Sequence, residues 1–391
     1  MPFALYLLGL AVFAQATSEF MLSGLVSDIA HDLNVSISAA GSLTSAFAAG
    51  MVVGAPLMAI LSLRWPRRRA LLAFLITFLL VHVIGALTTS YAVLLATRAV
   101  AALANAGFLA VALATATGMV APNAKGRATS ILLGGVTVAC VAGVPGGALL
   151  GQLWGWRAAF WAVALASAPA VLAVLRSVPA GAPAGGGSTG VRGELRTLRD
   201  PRLQLTLLLG ALVNGATFCA FTYLEPLVTE VTGLGDAWVP AVLALFGLGS
   251  FLGVTLGGRI ADSRPLPLLV AGGAALLTGW AVFAVTAGSA AATVLLVLVQ
   301  GTLSFAVGST LISQALYAAT GAPTLAGGFA TAAFNVGAAL GPWAGGRAIA
   351  GGLGYRSPLW ISALLVGLAL ALAAAVAARR VPRPGDAEIS R

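Results

Sequence analysis

Twelve apolar runs, each about as long as a bilayer is thick, follow one another along these 391 residues. A helix needs roughly 20 apolar residues to cross the hydrocarbon core. Runs at about 3–27, 38–62, 70–89, 91–118, 128–151, 157–176, 204–227, 237–260, 266–287, 289–317, 325–350 and 358–378 meet that length. Only 8% of the residues are charged and 59% are hydrophobic, against about 25% charged in an ordinary soluble domain. In lipid every backbone N–H and C=O must be bonded inside the protein, so such runs become helices. The expected fold class is an all-α membrane protein with twelve transmembrane helices.

The net charge of +10 does not point to a nucleic-acid partner, because the basic residues sit in the loops between apolar runs. There they act as topology signals. With the N-terminus inside, seventeen of the 21 basic residues fall in inner segments, three (Arg157, Arg347, Arg356) in outer loops, and Arg98 within a run. Both termini are therefore expected on the cytoplasmic side of a bacterial cytoplasmic membrane. The outer loops hold Asp28, Asp32, Glu230 and Asp236. Cys140 and Cys219 lie in different runs and predict no disulfide.

The chain is duplicated. Gly155-Trp156-Arg157 returns as Gly354-Tyr355-Arg356, an offset of 199, and Phe47, Gly50 and Gly54 return at that offset as Phe246, Gly249 and Gly253. Two six-helix pseudo-symmetric bundles follow, at 1–176 and 204–378. A cytoplasmic linker at 177–203 joins them, in which Val191–Arg202 has the mixed charge pattern of a short surface helix; residues 379–391 form a cytoplasmic tail. Repeats of like orientation are an architecture of secondary transporters, whose substrate site lies near the midplane between the halves.

Glu19 is the single charge in the first run. Asp28, nine residues on, marks the water boundary, which sets Glu19 roughly 13 Å deep at 1.5 Å per residue. That is too deep for a short side chain to reach the headgroups, and ionisable groups at such depth face a cavity or a partner. Arg98, counted inward from Ser90, lies roughly 12 Å deep. Gln15, Asn105, Asn214, Thr217, Tyr223, Gln300 and Ser304 are polar residues within runs one, four, seven and ten. Singly, such residues are usually helix–helix hydrogen bonds; with Glu19 they form a set of polar anchors for an apolar pocket. Glu225, near the outer end of run seven, reads as a helix-end acid beside water. His82 reads as a packed core histidine.

Several motifs carry a resemblance. The segment Gly54-Ala55-Pro56 through Arg64-Trp65-Pro66-Arg67-Arg68-Arg69 resembles the loop signature of the major facilitator superfamily between spans two and three, with Leu63 in place of its aspartate. The second half keeps the acid, Asp262. Gly143-Val144-Pro145-Gly146-Gly147 resembles the span-five antiporter signature of that superfamily, and Arg98 its span-four arginine, with Ala102 where a glycine is usual. Ala16-Thr17-Ser18-Glu19-Phe20-Met21-Leu22 and Arg64 through Leu75 are similar to the superfamily's chloramphenicol-resistance exporters. The resemblance implies a drug:proton antiporter that expels phenicols, acting as a monomer in the lipid bilayer. Arg64, Arg68 and Asp262 would hold the inner gate, and Gly143, Pro145 and Gly147 would permit its movement. Spans one and four line the cavity of this fold, so Glu19 and Arg98 can pair there as a proton-coupling site.

No nucleotide-binding, zinc-protease or serine-hydrolase motif occurs. The chain is read as neither an enzyme nor the holder of a cofactor, so transport must run on a gradient. Export of sugars or other metabolites on the same fold is the alternative. A non-transporting membrane sensor is a remoter one.

Overall fold

The structure is a computed structural model, and it describes residues 3–62, 65–121, 125–178, 196–261, 265–319 and 326–380. The first half comprises α1 (Phe3–Phe20), α2 (Val26–Asp32), α3 (Ile37–Ser62), α4 (Arg67–Leu87), α5 (Tyr91–Gly118), α6 (Lys125–Val138), α7 (Val144–Trp154) and α8 (Trp156–Ser177). The second comprises α9 (Pro201–Thr222), α10 (Leu224–Glu230), α11 (Val239–Ala261), α12 (Pro265–Thr286), α13 (Ala290–Ala318), α14 (Ala326–Ala348) and α15 (Ser357–Arg380). Among the described residues eleven helices are long and apolar enough to cross a membrane. The span outside that count is α14, the eleventh in chain order and 23 residues long, whose glycines and Asn335 dilute its hydropathy. The linker enters the structure as a single turn at Arg196–Arg199. Residues 191–195 of the expected surface helix lie outside the described residues; of the remainder, Arg196–Arg199 form that turn and 201–202 already begin α9.

The helices sort by contact into two bundles. α1 packs on α6 and α8, α3 on α5, and α4 on α5 and α8; in the second half α9 packs on α14 and α15, α11 on α13, and α12 on α13 and α15. The bundles meet where α3 lies along α14 and where α11 lies along the α6–α7 span. The repeat reappears in this packing. A Cβ on Gly50 would press against Ala99 and Ala102 of α5, and one on Gly249 against Gly301 and Thr302 of α13. Gly155 (φ 79) and Gly354 (φ 72) open α8 and α15 in the same left-handed turn, which glycine adopts without strain.

Two expected spans are broken rather than continuous. α1 ends at Phe20 in a tighter turn, Met21–Gly24, before α2 turns away. Gly24 sits where three helices meet, since a Cβ there would fall 2.6 Å from Leu243 and 2.7 Å from Ala148. α9 likewise ends at Thr222 and restarts as α10. Pro226 lacks an N–H, and its ring clashes with the carbonyl one turn back, so the break has a local cause.

The span-five motif is a seam. Pro145 disturbs the helix one turn before it, and the preceding Ala139–Gly143 widens into a π-helical turn. Gly143, Gly147 and Gly151 then lie against Thr17, Met21 and Leu25 of the first span, one turn apart on each. Small residues are what allow membrane helices to approach this closely. A Cβ on Gly147 would fall 3.2 Å from that of Met21, whereas one on Gly146 meets open space. Gly147→Leu should therefore destabilise the protein by about 1–3 kcal/mol through overpacking, with Gly146→Leu near neutral. Thermal unfolding in detergent checks both, and equal effects would show that the seam is not what the glycines provide.

Candidate functional site

Arg98 on α5 is buried, 1% exposed. A buried guanidinium must be hydrogen-bonded. Its Nη1 donates to Ser18 Oγ at 2.8 Å and its Nη2 to the Ser18 carbonyl at 2.7 Å. Its plane lies 4.6 Å from the ring centre of Phe47 on α3, a cation–π contact. Ser18 Oγ lies 2.6 Å from His82 Nε2, and His82 Nδ1 lies 2.7 Å from the Phe78 carbonyl. A carbonyl only accepts, so Nδ1 carries a hydrogen. Ser18 accepts from Arg98, which leaves its own hydrogen for Nε2. The chain Arg98 to Ser18 to His82 to Phe78 thus closes with a neutral imidazole. His82 is not a merely packed histidine; it anchors the arginine.

Glu19 is next to Ser18 and faces elsewhere, since successive residues on a helix point about 100° apart. It is half-buried and makes no hydrogen bond or ion pair among the described residues. The contact with Arg98 that the sequence allows is not formed: the guanidinium gives two of its N–H groups to Ser18, and its Nε is buried without a partner among the described residues. The two groups still interact through space, strongly so in a low-dielectric interior. Cys140, on the π-helical turn, also lies within reach of the Glu19 charge.

Beside Glu19, an aromatic slot of about 20 Å³ runs between the bundles. Phe20 supplies one wall, and Phe218, Phe221, Phe246 and Phe305 supply the other. Their rings form a chain, with Phe20 to Phe218 at 5.6 Å and Phe221 stacked on Phe246 at 4.5 Å. The slot is closed: a Cβ on Gly247 of α11 would fall 2.6 Å from the Cys140 carbonyl carbon. At this size it has room for about one water.

The polar set predicted from sequence is dispersed. Thr217 lines the slot, although its hydroxyl is bonded to the Val213 carbonyl of its own helix. Gln15, one turn before Glu19, is 1% exposed with both amide atoms unpartnered. Ser304 is also buried with a free hydroxyl. Asn105 reaches Met51 Sδ at 3.7 Å, and Asn214 donates to the Phe334 carbonyl at 2.7 Å. Gln300 turns away from the slot and donates to the Leu276 carbonyl of α12 at 3.1 Å. Tyr223 lies at the acidic end, donating to the Pro342 carbonyl at 2.8 Å. Of the expected inner-gate residues, Arg64 and Asp262 lie outside the described residues, and Arg68 is half-buried at the start of α4.

At the acidic end a vestibule of about 660 Å³ lies between the bundles, bordered by Asp28, Asp32, Glu225, Glu230 and Asp236. Links between the bundles cross its base. The Ser27 N–H donates to Glu225 at 3.0 Å, and Gln152 donates to the Asp236 carbonyl. Arg157 pairs with Asp32 at the rim; this bond holds the Asp32 carboxyl below the usual carboxylate range. So exposed a pair contributes little to stability. Glu225 departs from the sequence reading, being 8% exposed rather than a solvated helix end.

Ser18→Ala would leave the Arg98 Nη1 and His82 Nε2 without their shared partner. An orphaned buried polar group costs about 1–3 kcal/mol. A lower unfolding temperature is expected for Ser18→Ala, with recovery in Ser18→Thr, which restores a hydroxyl. An unaffected Ser18→Ala would show that the relay is not an anchor.

The Major Facilitator Superfamily family model matches residues 8–327. The chain is 56% identical over 375 residues to a chloramphenicol resistance protein of Streptomyces lividans, covering 95% of this chain and 96% of that one. It is 33% identical to the inner membrane transport protein YdhP of Escherichia coli (95% of each) and 30% identical to a chloramphenicol efflux pump of Mycobacterium tuberculosis (94% and 90%). Among solved structures it resembles an inward-facing bacterial homolog of the human lysosomal transporter Spinster, with a TM-score of 0.74, 20% identity and 94% of each chain covered. It also resembles the nucleoside transporter NupG, with a TM-score of 0.76, 13% identity, and 95% and 99% covered. The apolar spans, the repeated bundles and these matches agree: the chain is a multi-pass membrane protein and belongs to the Major Facilitator Superfamily of transporters.

Proposed function

We propose that the chain exports chloramphenicol-class drugs from the bacterial cytoplasm in exchange for protons and so confers resistance. The observation that carries this reading is the near full-length likeness to a chloramphenicol resistance protein. The rings of the aromatic slot support it, with the slot, closed here to about one water, enlarging when the bundles part. Phenicols are small, neutral and aromatic, and offset or edge-on ring contacts suit such a cargo. Unpartnered Gln15 and Ser304 are buried polar groups with hydrogen bonds still to offer.

In this reading Glu19 carries the proton and Arg98, held by Ser18 and His82, sets how readily it does so. The bundles at 1–176 and 204–378 rock about the slot, and Gly143, Pro145 and Gly147 form the seam on which the first span shifts. Arg64, Arg68 and Asp262 secure the other end. The seventeen-to-three bias of basic residues supports both termini lying in the cytoplasm. The transporter works as a monomer. One charge moved through 100 mV supplies about 2.3 kcal/mol, which sustains a drug gradient of about 40-fold.

Glu19→Gln should fold and bind drug yet lose proton-driven uptake of labelled chloramphenicol into everted vesicles; uptake at the wild-type rate would remove Glu19 from the mechanism. Phe221→Ala should weaken chloramphenicol binding by roughly two- to tenfold, from the 0.5–1.5 kcal/mol of an aromatic contact. Direct binding to the purified protein measures it, and an unchanged affinity would move the cargo elsewhere.

A further inference from the structure

Two equivalent short helices follow the breaks after the first and seventh long apolar segments. α2 and α10 are each seven residues long, and the repeat offset of 199 carries Val26 onto Glu225. The long apolar segments stop at Gly24 and Thr222, short of the expected ends at 27 and 227, and both short helices follow them. They pack against each other across the interface between bundles. Ser27 lies in the first turn of α2, so its N–H has no partner within that helix. It donates instead to Glu225 Oε2 at 3.0 Å. The bond joins one bundle to the other at the base of the vestibule.

We propose that Glu225 is a second proton-binding site, loaded from the solution at the acidic end when α2 and α10 are latched and emptied when they part. The inference rests on the rocking of the bundles, and it is independent of the cargo. The groups facing Glu225 explain the preference. Asp28 of α2 and Asp236 before α11 repel its charge, and Glu230 and Tyr355 stand nearby. His31, Asp32 and Arg157 border the same vestibule. The Arg157 charge is engaged by Asp32. Burial pushes the Glu225 carboxyl up to about 7, the Ser27 hydrogen bonds oppose this, and Asp28 and Asp236 add to the rise. Burial and Asp236 push Asp28 up as well.

The direction follows by linkage. Freed into water, Glu225 returns to an ordinary glutamate value of about 4.3. The latched form therefore binds the proton more tightly. Acid favours latching, and rising pH between about 4.3 and 7 releases it by up to tenfold per pH unit. Outside that window both forms hold the same number of protons and the effect is flat.

The test places spin labels at Ser36→Cys and Ala237→Cys, in a chain lacking Cys140 and Cys219, and measures their distance in nanodiscs from about pH 5 to 8, which brackets the upper part of that window. The short-distance population should fall as pH rises. In Glu225→Gln, a neutral side chain that still accepts the Ser27 N–H, it should stay high throughout. In Glu225→Ala it should drop below wild type at the acid end of the range. A pH dependence that persists in Glu225→Gln, or a wild type whose separated form does not vary with pH, overturns the proposal. So does an unchanged population in Glu225→Ala. A single fixed distance in every variant would instead defeat the rocking of the bundles. Glu19→Gln in the same background should keep the response; losing it there, while Glu225→Gln retains it, would transfer the proton to Glu19.

Discussion

A guanidinium in an apolar interior must find its acceptors inside the protein, and the two that Arg98 finds are both on one residue of α1. That requirement fixes three helices together. α5 brings the arginine, α1 brings Ser18, and α4 brings His82 to complete the hydroxyl's hydrogen bonding. Phe47 of α3 closes over the cation. The rotation of α1 follows from this. With Ser18 turned into the bundle, Glu19 and Phe20 turn out of it, toward Cys140 and the slot. The arginine thus places the acid without bonding to it, and the acid is left free of any fixed partner.

The opposite side of α1 is held by shape. Gly143, Gly147 and Gly151 accept Thr17, Met21 and Leu25 along a seam where a larger residue would not fit. One helix is therefore gripped by hydrogen bonds on one side and by close backbone packing on another. The seam has little polar content to break, since lipid offers no hydrophobic penalty for separating two apolar helices. Such a contact suits a surface that shifts, while the arginine cluster suits one that stays.

The duplication gives the two halves the same parts with different contents. Gly50 and Gly249 both bring an even-numbered span onto the next even one, and Gly155 and Gly354 both open the last span of their half. Yet Phe47 faces an arginine, whereas its counterpart Phe246 stacks on Phe221. The first half became charged at its centre and the second aromatic. Their meeting puts an acid beside a ring-lined slot.

The sequence by itself determined the spans, the repeat and the presence of one deep acid, because those rest on hydrophobic length and on the penalty for a charge in lipid. It also located the Gly-Val-Pro-Gly-Gly seam. It did not determine which polar residues meet. Ser18 carried no signal beside Glu19, His82 read as packing, and Glu225 read as solvated. Gln300 read as lining the cavity and instead faces α12. The phenylalanines of the slot were invisible among other apolar residues. The physical reason is shared. A helix in lipid is apolar on every side, so periodicity no longer tells the face toward lipid from the face toward a cavity. Only the tertiary structure, by setting the rotation of each helix against its neighbours, decided that.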